Sequence, residues 1–209
     1  TRQAMAIGTA GLTAMLCVMA LEEGGLEKGK GPVLVTGASG GVGSVAVALL
    51  AKAGYQVAAV TGRESSHAYL RELGATEIVT RGDLSEAGRP LEKQRWAAAI
   101  DTVGGTMLAR VLAQTQYGGA VAACGLAGSY DLPSTVMPFI LRNIRLQGVD
   151  SVMCSVERRK IAWQRLATEL PEGHLNTINE LISLEEIPQR ASDILKGQVR
   201  GRIVVDMKA

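Results

Sequence analysis

A chain of 209 residues is long enough for one large α/β domain with a sizeable core, and it is short for two complete domains. Hydrophobic residues make up 47% of the chain and charged residues 20%, a balance that is typical of folded domains and argues against a disordered protein. The formal net charge is +2, Lys and Arg form no stripe, and aromatic residues make up 3%, so nucleic-acid and membrane-surface partners are disfavoured and small-molecule partners are expected.

The three cysteines, Cys17, Cys124 and Cys154, lie far apart and form no CxxC pair. This spacing suits neither a disulfide framework nor a zinc site, and it is typical of a reducing compartment. We therefore expect free thiols in a cytoplasmic protein.

The first segment, residues 4–21, carries no charge and leaves three interpretations open: a signal sequence, a marginal membrane span or a core helix. Gly8, Thr9 and Gly11 interrupt its start, and a predicted strand with a glycine-rich loop follows it closely. We favour a helix that begins near Thr9 or Leu12 and packs against a sheet, because both faces of a doubly wound sheet must be covered.

Strands and helices alternate along the next part of the chain. Apolar runs predict strands at residues 32–36, 56–60, 77–80, 96–101, 119–124 and 143–149. Helices are predicted at residues 41–53, from Ser65 or Ser66 to residue 73, and at residues 106–114. Six short strands with helical crossovers predict an α/β fold with a doubly wound, Rossmann-type parallel sheet.

The pattern changes after residue 150. Residues 156–169 and 187–195 are predicted amphipathic helices, and residues 201–207 are a predicted terminal strand. This last strand has no evident position in a six-stranded sheet.

The stretch VLVTGASGGVG, residues 33–43, has four glycines between a predicted strand and a predicted helix. Residues 38–43 match the GxGxxG dinucleotide fingerprint with alanine in the first place, and residues 36–43 match the TGxxxGxG pattern of short-chain dehydrogenases. Residues 24–31 are excluded as a P-loop, because Gly31 stands where Ser or Thr would hold Mg²⁺ and because the string precedes its strand. The context of residues 33–43 predicts a site for the pyrophosphate of a dinucleotide.

Short-chain dehydrogenase chemistry requires a tyrosine followed four residues later by a lysine, which lowers the pKa of the phenol. None of the four tyrosines of the chain is followed by a lysine at that spacing. The short-chain interpretation is therefore disfavoured.

The end of the second predicted strand indicates the type of dinucleotide. An NAD site usually has a carboxylate there for the ribose 2′-OH, whereas an NADP site has a cation and hydroxyls for the 2′-phosphate. The sequence TGRESS has no carboxylate at the strand end, and Arg63 with Thr61 and Ser65 can hold a dianion. Glu64 opposes this interpretation, although on the first turn of a helix it would complement the helix dipole. The stretch therefore predicts NADPH.

Longer strings carry a resemblance to a known family: VLVTGASGGVGSVAVALLAKAGYQV, VTGRESSHAYLRELGA, AAAIDTVGG, ACGLAGS, PFILRNIRLQGVDSV and SLEEIPQRASDILKGQVRGRIVV. Over essentially its whole length the chain resembles the medium-chain dehydrogenase/reductase superfamily, and within it the zinc-independent, quinone-oxidoreductase-like branch that includes NADPH-dependent acrylyl-CoA reductases. The resemblance implies a GroES-like catalytic domain, which we expect to be absent from this chain. It further implies an NADP-binding Rossmann domain with its lead-in helix at residues 1–161 and a segment at residues 162–209 that returns toward the absent domain.

The NADP contacts that the resemblance implies fall into three groups. The pyrophosphate is expected at Ser39, Gly40, Gly41 and Val42. The 2′-phosphate is expected at Thr61, Gly62 and Arg63, with Arg81 beside the same phosphate or the adenine. The nicotinamide end is expected at Leu126 and Ile140, with polar contacts from Ser151 and Gln198. The competing interpretations are a solvated loop position for Arg81 and ordinary core packing for the two apolar residues.

A metal is not expected. Zinc-dependent relatives have a cysteine ligand just before the first helix, where the alignment of IGTAGLTA puts Thr9, and His67 and His174 are isolated in the sequence. Asp101, at the end of the fourth predicted strand, is interpreted as a cap of the following turn.

The activity that the resemblance implies is NADPH-dependent reduction of an activated C=C bond, most specifically of acryloyl-CoA to propanoyl-CoA with the hydride passing to the β-carbon. A quinone or enone oxidoreductase is the alternative of the same class, and a non-catalytic NADPH-binding sensor or interaction protein is the alternative of another class. No residue stands out as the proton donor, so catalytic residues stay unassigned. A homodimer is expected if residues 143–149 form a sheet edge that pairs with a second copy.

Overall fold

A computed structural model describes residues 2–207 of the chain. Its central sheet has six strands: β1 (Val33–Val35), β2 (Val57–Thr61), β3 (Glu77–Thr80), β4 (Trp96–Asp101), β5 (Thr115–Ala123) and β6 (Arg145–Gly148). The order across the sheet is β3-β2-β1-β4-β5-β6, and all neighbouring strands are parallel. This is the Rossmann order, so the predicted fold class is confirmed.

Helices cover both faces of the sheet, and three more helices follow its last strand in the chain. They are α1 (Arg2–Glu23), α2 (Gly41–Lys52), α3 (His67–Glu72), α4 (Gly105–Gln114), α5 (Met137–Arg142), α6 (Val156–Glu169), α7 (Glu172–Ile178) and α8 (Ile187–Leu195). Short 3-10 turns occupy Glu64–Ser66, Arg81–Leu84 and Leu184–Glu186. Two further strands, β7 (Asn179–Ser183) and β8 (Arg202–Asp206), follow the sheet in the chain.

The core is divided by the sheet into two apolar clusters. Along β1, Val33 and Val35 face the cluster that holds α1 and α2, whereas Leu34 faces the cluster that holds α4. This alternation follows from the period of two along a strand. Because both faces are buried, the strands are apolar throughout, as expected for a parallel sheet.

Helix α1 is the uncharged first segment. It is long and apolar enough to cross a membrane by length and composition, but most of its residues are buried inside the protein. It packs against α2, α6 and the sheet, which is the interpretation favoured from the sequence. The helix begins at Arg2, earlier than predicted, and Gly8 interrupts it with φ of +48° and ψ of −157°. The regular part after this kink begins at Thr9.

Three elements differ from the sequence-based expectation near the sheet. Strand β5 begins at Thr115, four residues before the predicted start, because Thr115 pairs with Trp96 ahead of a register shift. Ser65 and Ser66 lie in a 3-10 turn, and no serine side chain caps α3, which begins at His67. Helix α5 was not predicted, because its six residues are too few to show a helical period.

The terminal strand has a partner within the chain. Strand β8 pairs in parallel with β7 in a separate two-stranded sheet, with Asn179 opposite Arg202. Strand β7 was not predicted, because it begins at Asn179 directly after α7 ends at Ile178, which leaves no turn signal between them.

The expected division between residues 161 and 162 falls inside the continuous helix α6. Ala162 and Leu166 are buried in the same cluster as β1, and Ile178 and Val204 belong to that cluster as well. Helix α6 therefore packs as part of the unit built around the six-stranded sheet, and the segment after it shares the core of that unit.

We expect Leu166→Ala to lower the free energy of unfolding by about 2–5 kcal/mol, because it removes a buried side chain from the shared core. Leu166 is 1% exposed, and Leu195, at 90% exposed, provides the matched control. Leu195→Ala should change the unfolding free energy by less than about 0.5 kcal/mol. Urea unfolding measures both, and equal effects of the two substitutions would contradict the packing of α6 on the sheet.

Candidate functional site

The glycine-rich loop connects β1 to α2 at the point where the strand order reverses between β1 and β4. Its turn is closed by a hydrogen bond from Gly40 N to Gly37 O of 2.9 Å, and Gly37 has a φ of +56°. At Gly43, a Cβ atom would lie 2.6 Å from Cα of Ala38, so only glycine fits. No side chain caps the N-terminus of α2 at Gly40. The first N–H groups of α2 are therefore available to an anion.

Asp101 ties the loop after β1 to the loop after β4. The Thr36 hydroxyl donates to Asp101 Oδ1 at 2.7 Å, and the Gly104 N–H donates to Oδ2 at 2.8 Å. Asp101 is completely buried, and burial raises its pKa above the ordinary range against the opposing effect of the Thr36 hydrogen bond. These contacts support the interpretation of Asp101 as a turn cap, and Asp101 does not line the cavity described next.

A cavity of about 430 Å³ lies at the carboxyl ends of β1 and β2. Six of the twelve predicted cofactor residues line it: Ser39, Thr61, Gly62, Arg63, Arg81 and Gln198. The remaining lining residues are Gly37, Val60, Val103, Met107, Ala127, Gly128, Lys196 and Gly197. No residue that lines the cavity is an aspartate or a glutamate. The cavity is therefore basic, and we name it the β2 cavity.

Arg63 crosses the β2 cavity from the end of β2 to the C-terminal segment. Its guanidinium donates to the Ser39 hydroxyl at 2.8 Å, to Gly197 O at 2.8 Å and to Val199 O at 3.2 Å. Its backbone N–H donates to the Thr61 hydroxyl at 3.2 Å. All of these acceptors are neutral. Within residues 2–207 no carboxylate compensates the charge of Arg63.

Arg81 follows β3 and reaches the same cavity. Its Cδ atom would lie 3.3 Å from a Cβ at Gly62, so the missing side chain of Gly62 leaves room for the arginine stem. In the part of the chain that the structure describes, the Arg81 guanidinium has no hydrogen bond or ion pair. Arg81 therefore presents an unpaired charge to the cavity. It is also exposed to solvent, at the start of a 3-10 turn, and exposure is what the competing interpretation expects.

The other predicted cofactor residues lie outside the β2 cavity. Gly40 is the N-cap of α2, and Gly41 and Val42 begin that helix. Leu126, 67% exposed, follows β5, and Ile140, 73% exposed, lies on α5, so core packing is excluded for both. Ser151 follows β6, and its carbonyl accepts from Arg159 at 2.8 Å.

Gln198 lines the β2 cavity together with Arg63, whereas the sequence-based expectation grouped it with Ser151 at the nicotinamide end.

Arg202 also belongs to the candidate site, although it was not among the predicted cofactor residues. Its side chain lies against the start of α2, with Cδ 3.1 Å from the position that a Cβ at Gly41 would take. Its Nε donates to Ala6 O at 3.1 Å, and burial lowers its pKa. It has no carboxylate partner among residues 2–207. A half-buried, unpaired cation beside a helix N-terminus indicates an anion site, and the only sequence signal was an arginine at the start of an apolar strand.

Comparison with known proteins gives the family. Residues 41–168 match the family described as zinc-binding dehydrogenase. The chain belongs to this family. The resemblance to medium-chain dehydrogenases/reductases expected from the sequence is confirmed. In this member of the zinc-binding dehydrogenases, no group of three or more His, Cys, Asp or Glu within residues 2–207 is arranged to hold a metal ion.

Three bacterial proteins show the similarity in detail. A "probable acrylyl-CoA reductase" of Escherichia coli (strain K12) is 62% identical over 98% of this chain and 63% of its own length. A "putative quinone oxidoreductase" of Bacillus subtilis (strain 168) is 46% identical over 99% of this chain and 63% of its own length. The crystal structure of an oxidoreductase from Salmonella enterica in complex with NADP superposes with a TM-score of 0.96, at 61% identity, over 99% of this chain and 63% of that one. The chain thus spans less than two thirds of the length of these relatives.

Proposed function

We propose that the chain binds NADPH across the carboxyl ends of β1 and β2 and forms the nucleotide-binding part of a reductase of activated C=C bonds. The observation that carries this proposal is the β2 cavity, where Arg63 and Arg81 lie together without an acidic residue. A cavity of this charge fits the 2′-phosphate of NADPH and gives no carboxylate to the 2′-OH of NADH. The Salmonella enterica relative, solved with NADP, supports the same cofactor.

The dinucleotide fits the chain along two further groups of residues. The backbone N–H groups of Gly41 and Val42, together with the positive end of the α2 dipole, would hold the pyrophosphate. Arg202, which lies beside Gly41, would compensate the negative charge of the pyrophosphate. The Ser39 hydroxyl would lie between the pyrophosphate and Arg63.

The nicotinamide end is proposed at the opposite side of the crevice. Leu126 follows the carboxyl end of β5, and its neighbours Ala127 and Gly128 line the β2 cavity. Leu126 and Ile140 expose apolar side chains that would flank the nicotinamide ring, with Ser151 as a polar contact nearby. When bound, NADPH would supply a hydride to the β-carbon of the substrate.

The substrate is proposed from the relatives. An acryloyl thioester of coenzyme A, reduced to the propanoyl thioester, agrees with the name of the Escherichia coli protein. A small quinone or enone is the alternative, and it agrees with the name of the Bacillus subtilis protein. We propose a cytoplasmic location, because all three cysteines are free thiols.

Arg63→Ala should weaken NADPH binding by about tenfold to a hundredfold, because a charge-assisted contact to the 2′-phosphate is lost. NADH binding should change by less than about threefold, because NADH has no phosphate at this position. Isothermal titration calorimetry measures both affinities. Arg71→Ala, which removes an exposed arginine of α3, is the matched control and should leave both unchanged. Equal weakening of the two nucleotides by Arg63→Ala would show that Arg63 only holds the loops together.

Acryloyl-CoA should be reduced faster than a small quinone when NADPH oxidation by the protein is followed by absorbance. The physical reason is that a reductase site selects its substrate through contacts to the thioester, which a quinone lacks. Faster turnover of the quinone would favour the alternative substrate. Tight NADPH binding without turnover of either compound would favour the non-catalytic sensor.

A homodimer is proposed through the edge strand β6, whose outer side has no partner strand among residues 2–207. An unpaired strand edge can continue its hydrogen bonds into the same strand of a second copy. Light scattering should then give twice the mass of one chain, and Leu146→Pro in β6 should shift it to the mass of one chain. A single-chain mass for the unsubstituted protein would contradict this arrangement.

A further inference from the structure

We propose that Lys196 determines the preference for the 2′-phosphate together with Arg63 and Arg81, so that the C-terminal segment takes part in choosing the dinucleotide. The inference rests on the proposed function, because it needs NADPH in the β2 cavity. It goes beyond that function by adding a third cation from a different part of the fold. Arg63 comes from the end of β2 and Arg81 from the end of β3, whereas Lys196 comes from the end of α8.

The end of α8 holds Lys196 in a defined position. Gly197 N donates to Ile194 O at 2.9 Å, and Gln198 N donates to Asp193 O at 2.9 Å. Gly197 has a φ of +66°, so these two bonds form a Schellman motif. A cation at the C-cap of a helix, where Lys196 lies, is also favoured by the helix dipole. The motif therefore fixes the backbone from which the Lys196 side chain reaches the cavity.

The helix end is itself bound to the glycine-rich loop. Arg63 donates to the carbonyls of Gly197 and Val199, and Gly201 N donates to Ser39 O at 2.9 Å. These bonds join α8 and β8 to the loop that would hold the pyrophosphate. Lys196 consequently lines the same cavity as Arg63 and Arg81, although it lies far from both arginines in the sequence.

The charge of Lys196 is free for a ligand. Among residues 2–207 its ammonium group has no hydrogen bond or ion pair, and no acidic residue lines the β2 cavity. The nearest acidic residue along the helix, Asp193, is engaged by Gln189 at 2.8 Å and by Arg190 at 3.7 Å. A dianion at the end of β2 would thus be attracted by three cations from three elements, and each should contribute to discrimination against a ribose 2′-OH.

Lys196→Gln tests the inference with two small probes, 2′,5′-ADP and 5′-AMP, titrated calorimetrically into the 209-residue chain. The substitution should weaken 2′,5′-ADP by about threefold to tenfold and leave 5′-AMP unchanged, because only the first probe has a 2′-phosphate. The affinity for 2′,5′-ADP should also become less dependent on salt concentration. Lys196→Arg should keep the preference, since the positive charge is retained.

The matched control is Lys160→Gln, which removes the same charge from an exposed position on α6 outside the cavity. If Lys196→Gln and Lys160→Gln bind 2′,5′-ADP equally, the role of Lys196 is overturned. If the unsubstituted chain binds 2′,5′-ADP no better than 5′-AMP, the proposed function itself is overturned. A threefold to tenfold weaker binding of 2′,5′-ADP to Lys196→Gln, with no such change in Lys160→Gln, supports the inference.

Discussion

The reversal of strand order between β1 and β4 is the constraint on which the site depends. Chain connections leave β1 toward β2 on one side and reach β4 on the other, so the loops at their carboxyl ends separate and form a crevice. The buried carboxylate of Asp101 holds the two sides of this crevice at a fixed distance through Thr36 and Gly104. Because both faces of the sheet are buried, a ligand can reach it only at the ends of the strands. The loops of the crevice lie at the carboxyl ends, where the half-buried start of α2 also lies.

Charge balance then decides which ligand the crevice suits. Arg63 satisfies its hydrogen bonds with one hydroxyl and two carbonyls, so its geometry is fixed but its charge is not compensated. Arg202, beside the start of α2, also donates to a carbonyl and has no carboxylate partner among residues 2–207. Holding cations near each other without carboxylates is unfavourable in the absence of a ligand, and binding of a phosphate removes that cost. The fold thus places uncompensated cations at the end of β2 and at the start of α2, where the 2′-phosphate and the pyrophosphate are proposed to bind.

The Rossmann part could be predicted from the sequence because its signals are local. Strands β3 and β4 and helices α6 and α8 have the predicted bounds, since apolar periodicity and turn residues define them without tertiary information. That Thr61, Gly62 and Arg63 lie together could likewise be expected, because they stand at the end of a strand, and all three line the β2 cavity. Strand β7 and the positions of Lys196 and Arg202 at the site could not. Their roles depend on pairing between distant segments, which no local pattern encodes.

A crystal structure of the chain with NADPH would locate each phosphate relative to the cations. We expect the 2′-phosphate in the β2 cavity within hydrogen-bonding distance of the Arg63 guanidinium, and the pyrophosphate at the first turn of α2. A nucleotide bound with its 2′-phosphate away from Arg63, or outside the crevice between β1 and β4, would show that the proposed site is wrong.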